Sequence, residues 1–228
     1  MEYIEDNKKK IFIPYKLDLF QKIIRKNIIF KNDVFEKYKA KCMVDGTLVV
    51  CNDITKLRNS KKEIAKETYE EYLDILSKRD PKKDKWIYNI IDGIREQESI
   101  IYSDDKCIVI PSYIWDSKNI KNLHILCIPK DKSIRTIRSL RSEHISLLKH
   151  MKQCSLEVIK EFYNLNECNL KMFVHYEPST YHFHIHFGNI EFTKMNSSVE
   201  YSHELNTILF NLSLDGEYYK KIIINKRV

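Results

Sequence analysis

Short apolar pieces separated by polar turns dominate the first sixty residues. Three of these pieces have strand length, namely Ile11-Phe12-Ile13, Ile28-Ile29-Phe30 and Leu48-Val49-Val50. Asp45-Gly46, just before the third piece, is a typical turn between strands. Residues 61–78 then repeat apolar side chains at helical spacing. The pattern predicts a small N-terminal α+β domain over residues 1–78.

A second, larger domain is predicted after the polar, lysine-rich stretch 79–85, which contains a proline and has the composition of a hinge. Apolar periodicity predicts helices over 84–97 and 142–164, and from Ser197 or Ser198 to about Leu212. It predicts strands over 99–102, 107–110, 123–128, 170–177 and 181–188. Strands, a long helix and then paired strands are typical of an α+β domain with an antiparallel sheet. This domain is placed at residues 86–228.

The composition narrows the class of protein. Of the 228 residues, 43% are hydrophobic and 31% are charged, as in a globular protein that needs no metal or disulfide to fold. No apolar run reaches the ~20 residues of a membrane helix, and the N-terminus lacks the apolar core of a secretory signal. Six cysteines show no C-x-x-C pairing. We therefore expect a reduced protein of the cytoplasm or nucleus, with no membrane partner and with cysteines acting as small buried side chains.

The net charge of +7 lies at the N-terminal end. Residues 1–66 hold 16 Lys or Arg against 9 Asp or Glu, whereas residues 67–228 hold 23 of each. This asymmetry indicates an anionic partner for that end, such as a nucleic acid or a polyphosphate. A solvated lysine-rich surface is the alternative interpretation.

Three of the eight histidines fall in one short segment, Tyr181-His-Phe-His-Ile-His-Phe187. Because side chains alternate between the faces of a strand, His182, His184 and His186 are predicted to share one face. The apolar residues between them share the other face, which is predicted to pack against a helix. Buried imidazoles need hydrogen-bond partners, so a purely structural role is a poor explanation. Two chemistries remain open: a zinc site, and nucleophilic catalysis at phosphorus by a neutral imidazole.

The pattern His-φ-His-φ-His-φ, with φ apolar, resembles the histidine triad (HIT) signature. Its longer context, residues 174–187, resembles the scavenger mRNA-decapping enzymes (DcpS). Two further blocks agree with that family in order and spacing. These are Trp86-Ile-Tyr-Asn-Ile-Ile-Asp92, similar to a cap-stacking helix, and Ile134-Arg-Thr-Ile-Arg-Ser-Leu140, followed by Glu143-His144. The resemblance covers about residues 56–205.

The resemblance implies both a fold and an activity. The fold would be a HIT-like antiparallel sheet with helices in residues 86–228, joined to a small N-terminal α+β domain that is swapped within a homodimer. The activity would be hydrolysis of cap dinucleotide or short capped RNA to 7-methylguanosine monophosphate and a nucleoside diphosphate. The reaction would pass through a histidine-nucleotidyl intermediate, without a cofactor or a metal.

The resemblance also implies roles for individual residues. His184 would be the nucleophile, and His182, His186 and His175 would orient it and contact the phosphates. Trp86 would stack on the cationic methylated base, for which an electron-rich indole is well suited. The remaining substrate contacts would be made by Glu96 to the base edge and by Lys56 and Ser179 to the phosphates.

Five positions depart from the family pattern. A base-reading acid is replaced by Ser112, a phosphate-binding lysine by Ile114, a frequent tyrosine by His124, an aromatic residue by Thr180 and an arginine by Tyr201. Two alternatives to a scavenger decapping enzyme follow. One is a catalytically weak paralogue that binds caps as a regulator, and the other is a zinc-binding protein that uses the three-histidine strand.

Overall fold

The computed structural model describes residues 63–192 and 197–227, and before them the backbone of five short strands. The chain forms two compact units, residues 1–61 and residues 62–228. In the first unit, β1 (Tyr3–Ile4) pairs antiparallel with β2 (Ile11–Phe12). The strands β3 (Ile28–Lys31), β4 (Phe35–Ala40) and β5 (Gly46–Cys51) form an antiparallel meander in sequence order. The three apolar pieces predicted as strands coincide with β2, β3 and β5.

The second unit begins with β6 (Ile64–Glu67) and the helices α1 (Tyr69–Ser77) and α2 (Lys85–Ile91). The strands β7 (Tyr102–Ser103), β8 (Cys107–Pro111) and β9 (His124–Pro129) follow. After them come α3 (Ile145–Tyr163), β10 (Leu170–His175) and β11 (Ile185–Asn189). The chain ends with β12 (Ser202–Glu204), α4 (Leu205–Leu214), α5 (Tyr218–Lys221) and β13 (Ile224–Arg227).

Six of these strands form one antiparallel sheet in the order β12-β10-β11-β9-β8-β7, and β13 pairs separately with β6. The unit is therefore α+β with antiparallel sheets, which confirms the predicted fold class at that level. Among the described residues, the helices include none that is both long and apolar enough to cross a membrane.

The main sheet carries different helices on its two faces. On β9, Ile125 and Cys127 belong to the main core, which the α3 side chains Leu148, Met151 and Val158 also enter. The alternate β9 residues, Leu126 and Ile128, pack with Ile87 and Ile90 of α2. His186 stands opposite Leu126 in the β11–β9 ladder, so the histidine lies on the face that α2 covers. The sheet thereby brings α2 and the histidine segment to one side.

A buried ion-pair cluster ties the β6–β13 sheet to the rest of the unit. The Arg138 guanidinium is fully buried and donates hydrogen bonds to the carbonyls of Glu67, Tyr219 and Ile222. The Glu67 carboxylate pairs with Arg138 at 3.4 Å and with Lys226 at 2.7 Å, and it accepts a hydrogen bond from Tyr176. We call Glu67, Arg138, Tyr176 and Lys226 the arginine cluster.

Several predicted boundaries are wrong for identifiable reasons. The helix predicted over 61–78 begins at Tyr69, because Thr68 caps it through a reciprocal capping box with Glu71. The helix predicted over 84–97 stops at Ile91, just before Gly93, whose φ of 72° is left-handed. The strand predicted over 181–188 is regular only from Ile185.

The predicted hinge, residues 79–85, contains the short 3₁₀ turn Pro81–Asp84 and the start of α2. In this chain, residues 62–85 belong to the second compact unit. The predicted domains, residues 1–78 and 86–228 with a hinge at 79–85, were defined for a dimer that exchanges N-terminal domains. That division stays a prediction.

Candidate active site

The histidine segment lies beside a small cleft of about 180 Å³. The cleft is lined by Arg135, Thr136, Val174, His175, Pro178, His182, Phe183 and His184. Before β11, the backbone of this segment bonds outside the sheet ladder, since Phe183 N donates to the carbonyl of Ile134 at 2.9 Å. The alternation nevertheless holds: Phe183, Ile185 and Phe187 enter the main core, while His182 and His184 line the cleft.

His184 has the geometry of an imidazole nucleophile. Its Nδ1 lies 2.8 Å from the carbonyl oxygen of His182. Because a carbonyl can only accept, Nδ1 carries the proton and Nε2 keeps its lone pair. Burial lowers the pKa of His184 below its ordinary value, which keeps the ring neutral at physiological pH. A neutral ring with a lone pair on Nε2 is the form that attack on phosphorus requires.

His182 is held from the other side of the cleft. Its Nε2 donates to the carbonyl of Pro129 at 2.7 Å, and its ring meets the ring of Tyr88 edge-on at 5.5 Å. Burial lowers the pKa of His182 to about 4. Its buried Nδ1 has no hydrogen-bond partner among the described residues. Because Nε2 carries the proton, Nδ1 can only accept, and it is a candidate contact for a hydroxyl or N–H group of the substrate.

His186 is buried among other aromatic rings. Its ring is parallel to that of Phe173 at 5.1 Å and lies 4.2 Å from the ring of His175. Its Nδ1 is 2.9 Å from Nε2 of His124. Burial first, and then the neighbouring imidazoles, place the pKa of His186 well below its ordinary value. His175 also contacts Tyr201, with 4.2 Å between ring centroids. His175, His182 and His184 line the cleft and His186 contacts two of them, so the structure brings all four predicted catalytic histidines together.

Trp86 is positioned next to the turn that precedes the histidines. Its half-buried indole donates from Nε1 to the hydroxyl of Thr180 at 3.2 Å. Ser179 is exposed in the same turn, and its carbonyl accepts a hydrogen bond from Arg79 at 2.7 Å. The first turn of α2 and the histidine turn therefore meet, which joins the predicted stacking residue to the predicted phosphate-binding serine.

Comparison with known proteins agrees with this geometry. A family model described as "Scavenger mRNA decapping enzyme C-term binding" matches residues 85–201. The chain belongs to the scavenger mRNA decapping enzyme family. An m7GpppX diphosphatase of Ascaris suum is 32% identical over 209 residues, which cover 85% of this chain and 69% of that protein. The human m7GpppX diphosphatase is 31% identical over 141 residues, which cover 60% of this chain and 42% of the human protein.

Likeness to solved structures is weaker. The aprataxin ortholog Hnt3 from Schizosaccharomyces pombe is 19% identical, with a TM-score of 0.42 over 60% of this chain and 75% of that one. This value is too low to support an argument about the fold. Membership of the decapping family therefore rests on the sequence comparisons.

Asp84 is a site residue that the sequence did not reveal. Its carboxylate is fully buried. It accepts hydrogen bonds from Arg79 at 2.9 Å, from Arg135 at 3.0 Å and from the backbone N–H of Tyr181 at 2.8 Å. It thus fixes the turn from which His182 and His184 project in this decapping-family protein. The only sequence signal was an acid among the lysines of the predicted hinge, which is typical of a solvated loop.

The remaining predicted site residues, and the positions that depart from the family pattern, differ in where they lie and in how exposed they are. Glu96 is exposed in the turn after α2, with a φ of 59°. Ser112 is buried beside His124, whose carbonyl accepts from Ser112 N at 2.8 Å, and Ile114 is partly exposed. Lys56 lies outside the described residues. The positions where this chain departs from the decapping family thus include two, Ser112 and His124, that adjoin each other in space.

The zinc alternative gains no support from the geometry. Within the described part of the chain, two groups of side chains place their ligand atoms within 4.8 Å of one another. One is Cys107, Cys127 and Cys154, and the other is Asp104, Cys107 and His150. Neither includes a histidine of the cleft. The three thiols lie in the main core, where burial and the neighbouring thiols place the pKa of Cys127 well above its ordinary value.

Proposed function

We propose that this protein is a scavenger decapping pyrophosphatase. It hydrolyses cap dinucleotide or short capped RNA to 7-methylguanosine monophosphate and a nucleoside diphosphate. The observation that carries the proposal is the tautomer of His184, which holds a proton on Nδ1 and a lone pair on Nε2. Family membership supplies the substrate class, since the relatives are named m7GpppX diphosphatases.

The reaction proceeds in two displacements. His184 Nε2 forms a bond to the phosphorus next to methylguanosine, and the bond from that phosphorus to the bridging oxygen breaks, releasing the nucleoside diphosphate. The His182 carbonyl stabilises the positive charge that develops on the imidazole, through the Nδ1–H bond. Water then attacks the same phosphorus, the N–P bond breaks, and the water proton passes to solvent.

Substrate recognition divides between the two sides of the cleft. Trp86 stacks on the methylated base, with its indole oriented by Thr180. His175, His182 and His186 face the phosphates together with Ser179. Glu96 and Lys56 are assigned to the base edge and the phosphates by the family resemblance.

The decisive test is His184→Asn, assayed on methylated cap dinucleotide with the products separated by chromatography. We expect turnover to fall at least ~10³-fold, because asparagine cannot form the covalent intermediate. The cap dinucleotide should still bind. His150→Asn is the matched control, because His150 lies on α3 and pairs with Asp104 at 2.5 Å. Turnover by His184→Asn comparable to that of the unchanged protein would remove the nucleophile assignment.

A second candidate function is a cap-binding regulator with weak catalysis. It is favoured by the loss of a phosphate-binding lysine at Ile114 and of an arginine at Tyr201. Each lost charge-assisted hydrogen bond removes ~1.5–3 kcal/mol of substrate affinity. Product accumulation over many turnovers separates the two functions, because a regulator would stop after about one product per active site.

We also propose a homodimer that exchanges N-terminal domains and acts in the cytoplasm or nucleus. The support is the family resemblance, the composition of residues 79–85 and the unpaired cysteine pattern of the sequence. Sedimentation at micromolar concentration tests the assembly, and a stable monomer would contradict it.

A further inference from the structure

The turn over residues 177–181 joins β10 to the histidine segment and is held by side chains. Within the described ranges, no residue from Glu177 to His182 takes part in a backbone–backbone hydrogen bond. Pro178 of this turn lines the cleft, and Ser179 next to it is the predicted phosphate contact. The side chains that hold the turn therefore set where Ser179 meets a substrate.

The middle and the C-terminal end of the turn are attached to the segment before α2. The carbonyl of Ser179 accepts a hydrogen bond from Arg79 at 2.7 Å, and Tyr181 N donates to the carboxylate of Asp84 at 2.8 Å. The Arg79 guanidinium also lies over the ring of Tyr181, 3.9 Å from its centroid. These contacts leave the N-terminal end of the turn to be fixed by another element.

That end is held by an ion pair to the C-terminal strand. One carboxylate oxygen of Glu177 accepts from the hydroxyl of Tyr181, which closes the turn on itself, and the other lies 3.1 Å from Nζ of Lys226. Lys226 is on β13, its side chain is only 10% exposed, and its ammonium also pairs with Glu67 at 2.7 Å. Because charge-assisted hydrogen bonds are strong and short, Lys226 connects the turn firmly to the arginine cluster.

We propose that Lys226 and Glu177 are positioning residues, which fix the turn so that Ser179 meets the phosphates of the substrate. Within the described part of the chain, neither side chain lines the cleft, so both act through the turn. Asp84 holds the end of the turn next to His182, so loss of the ion pair should displace Ser179 more than the histidines. The role rests on the proposed function, which places Ser179 at the phosphates.

A double-mutant cycle tests whether Lys226 acts through Ser179. Lys226→Met removes the ammonium and keeps an unbranched side chain. We expect KM for methylated cap dinucleotide to rise about 5- to 10-fold in this variant, with kcat within about threefold of that of the unchanged protein. In a Ser179→Ala background the same change should raise KM by less than about twofold, because the contact that it displaces is already gone. An equal rise in both backgrounds, or an unchanged KM in Lys226→Met, would overturn the proposal.

Two further variants separate positioning from stability. Lys226→Arg keeps the positive charge, and its KM should stay within about threefold of that of the unchanged protein. Glu67→Gln removes the other partner of Lys226 and destabilises the fold, but it leaves the pair with Glu177 intact. Its KM should therefore be unchanged. A rise in KM as large as that in Lys226→Met would show that lost stability is the cause, and the proposal would be wrong.

The position of the turn can also be measured without substrate. The indole N–H of Trp86 donates to Thr180 in the turn at 3.2 Å, whereas Trp115, the other tryptophan, lies in the main core. In ¹⁵N-labelled protein we expect Lys226→Met and Glu177→Gln to shift the Trp86 indole signal and to leave that of Trp115 in place. An unmoved Trp86 signal in Glu177→Gln would overturn the proposal even if Lys226→Met failed to fold. Because this measurement needs no cap, failure of the proposed function would leave the expected shift intact.

Discussion

The two buried polar regions of the second unit differ in how far their groups are satisfied. In the arginine cluster, Glu67 Oε2 and Arg138 Nε make no hydrogen bond with the described residues, but Oε2 lies 2.7 Å from the Lys226 ammonium and Nε lies 3.4 Å from the other carboxylate oxygen of Glu67. Backbone carbonyls accept three hydrogen bonds from the Arg138 guanidinium. In the histidine cleft, one nitrogen each of His124, His182 and His186 is buried without a partner among the described residues. Burying polar groups without partners is costly.

The difference separates structure from function. In the arginine cluster, the buried atoms that lack a hydrogen bond face an opposite charge, so the cluster holds its chain segments together by ion pairs. The unpartnered nitrogens of the cleft belong to neutral imidazoles, so their cost is relieved when a ligand supplies the matching donor or acceptor. Buried polarity by itself therefore does not mark a site, whereas neutral nitrogens left without a partner beside a cleft do.

The largest expected effect is a loss of stability in acid that arises in the cleft. His124 and His182 have folded-state pKa values of about 3 and about 4, against about 6.5 when unfolded. The unfolded chain thus binds more protons between pH 6.5 and 4, so stability is constant above pH 6.5 and falls below it. The two groups together cost about 5 kcal/mol over this range, which denaturant unfolding at a series of pH values measures.

His124→Gln sharpens that result, because it removes one titrating imidazole and keeps a side chain that can form hydrogen bonds. The slope of stability against pH between 6 and 4 should fall by about 1.4 kcal/mol per pH unit. An unchanged slope would mean that His124 does not stay neutral in the folded protein.

Glu67→Gln tests the arginine cluster. It leaves the fully buried Arg138 without a carboxylate and Lys226 with Glu177 alone, so we expect a loss of about 3–5 kcal/mol in the free energy of unfolding. The folded fraction should retain its turnover rate. Glu70→Gln is the control, since Glu70 is exposed on α1 and its loss should change stability by less than ~0.5 kcal/mol. A Glu67→Gln protein with unchanged free energy of unfolding would show that the arginine cluster does not stabilise the fold.

Trp86→Ala tests recognition at the rim of the cleft. We expect about tenfold or greater loss of affinity for methylated cap dinucleotide, and a much smaller loss for the unmethylated form, since only the methylated base is cationic. Calorimetric titration of both ligands provides the comparison. Equal losses would show that Trp86 serves only as packing.

The smallest expected effect is that of Thr180→Val, which keeps the side-chain shape and removes the acceptor for the indole N–H. A hydrogen bond of this kind contributes ~1 kcal/mol, so cap affinity should fall about fivefold. Thr180→Ser keeps the hydroxyl and should bind like the unchanged protein. A Val variant with full affinity would mean that the indole needs no such partner.

The parts of the fold that depend on local pattern were predictable from the sequence. The alternation of His182, Phe183 and His184 between two faces survives even where the segment leaves the sheet ladder. The pairing of β6 with β13 was not predictable, because about 160 residues separate the two strands and each is short, with at least half of its residues polar. Polar edge strands lack the apolar run on which strand prediction depends.

The same limit applies to the site. The histidines, Trp86 and Ser179 could be named because they stand in recognisable blocks. Asp84 and the contact between His124 and His186 could not, since each is created by packing between segments far apart in the chain. A single acid or histidine carries no periodicity, and only the fold shows what it meets.

The rate at which the three core thiols are alkylated would report how often the core opens. Cys107 and Cys127 lie on the sheet and Cys154 on α3, with 3.5 Å between the sulfurs of Cys107 and Cys154, whereas Cys168 is exposed. An alkylating reagent therefore reaches Cys168 in the native state but reaches the core thiols only when the helix lifts from the sheet. Among the four cysteines in the described ranges, the labelling rates of the two classes report surface reactivity and the frequency of that opening separately.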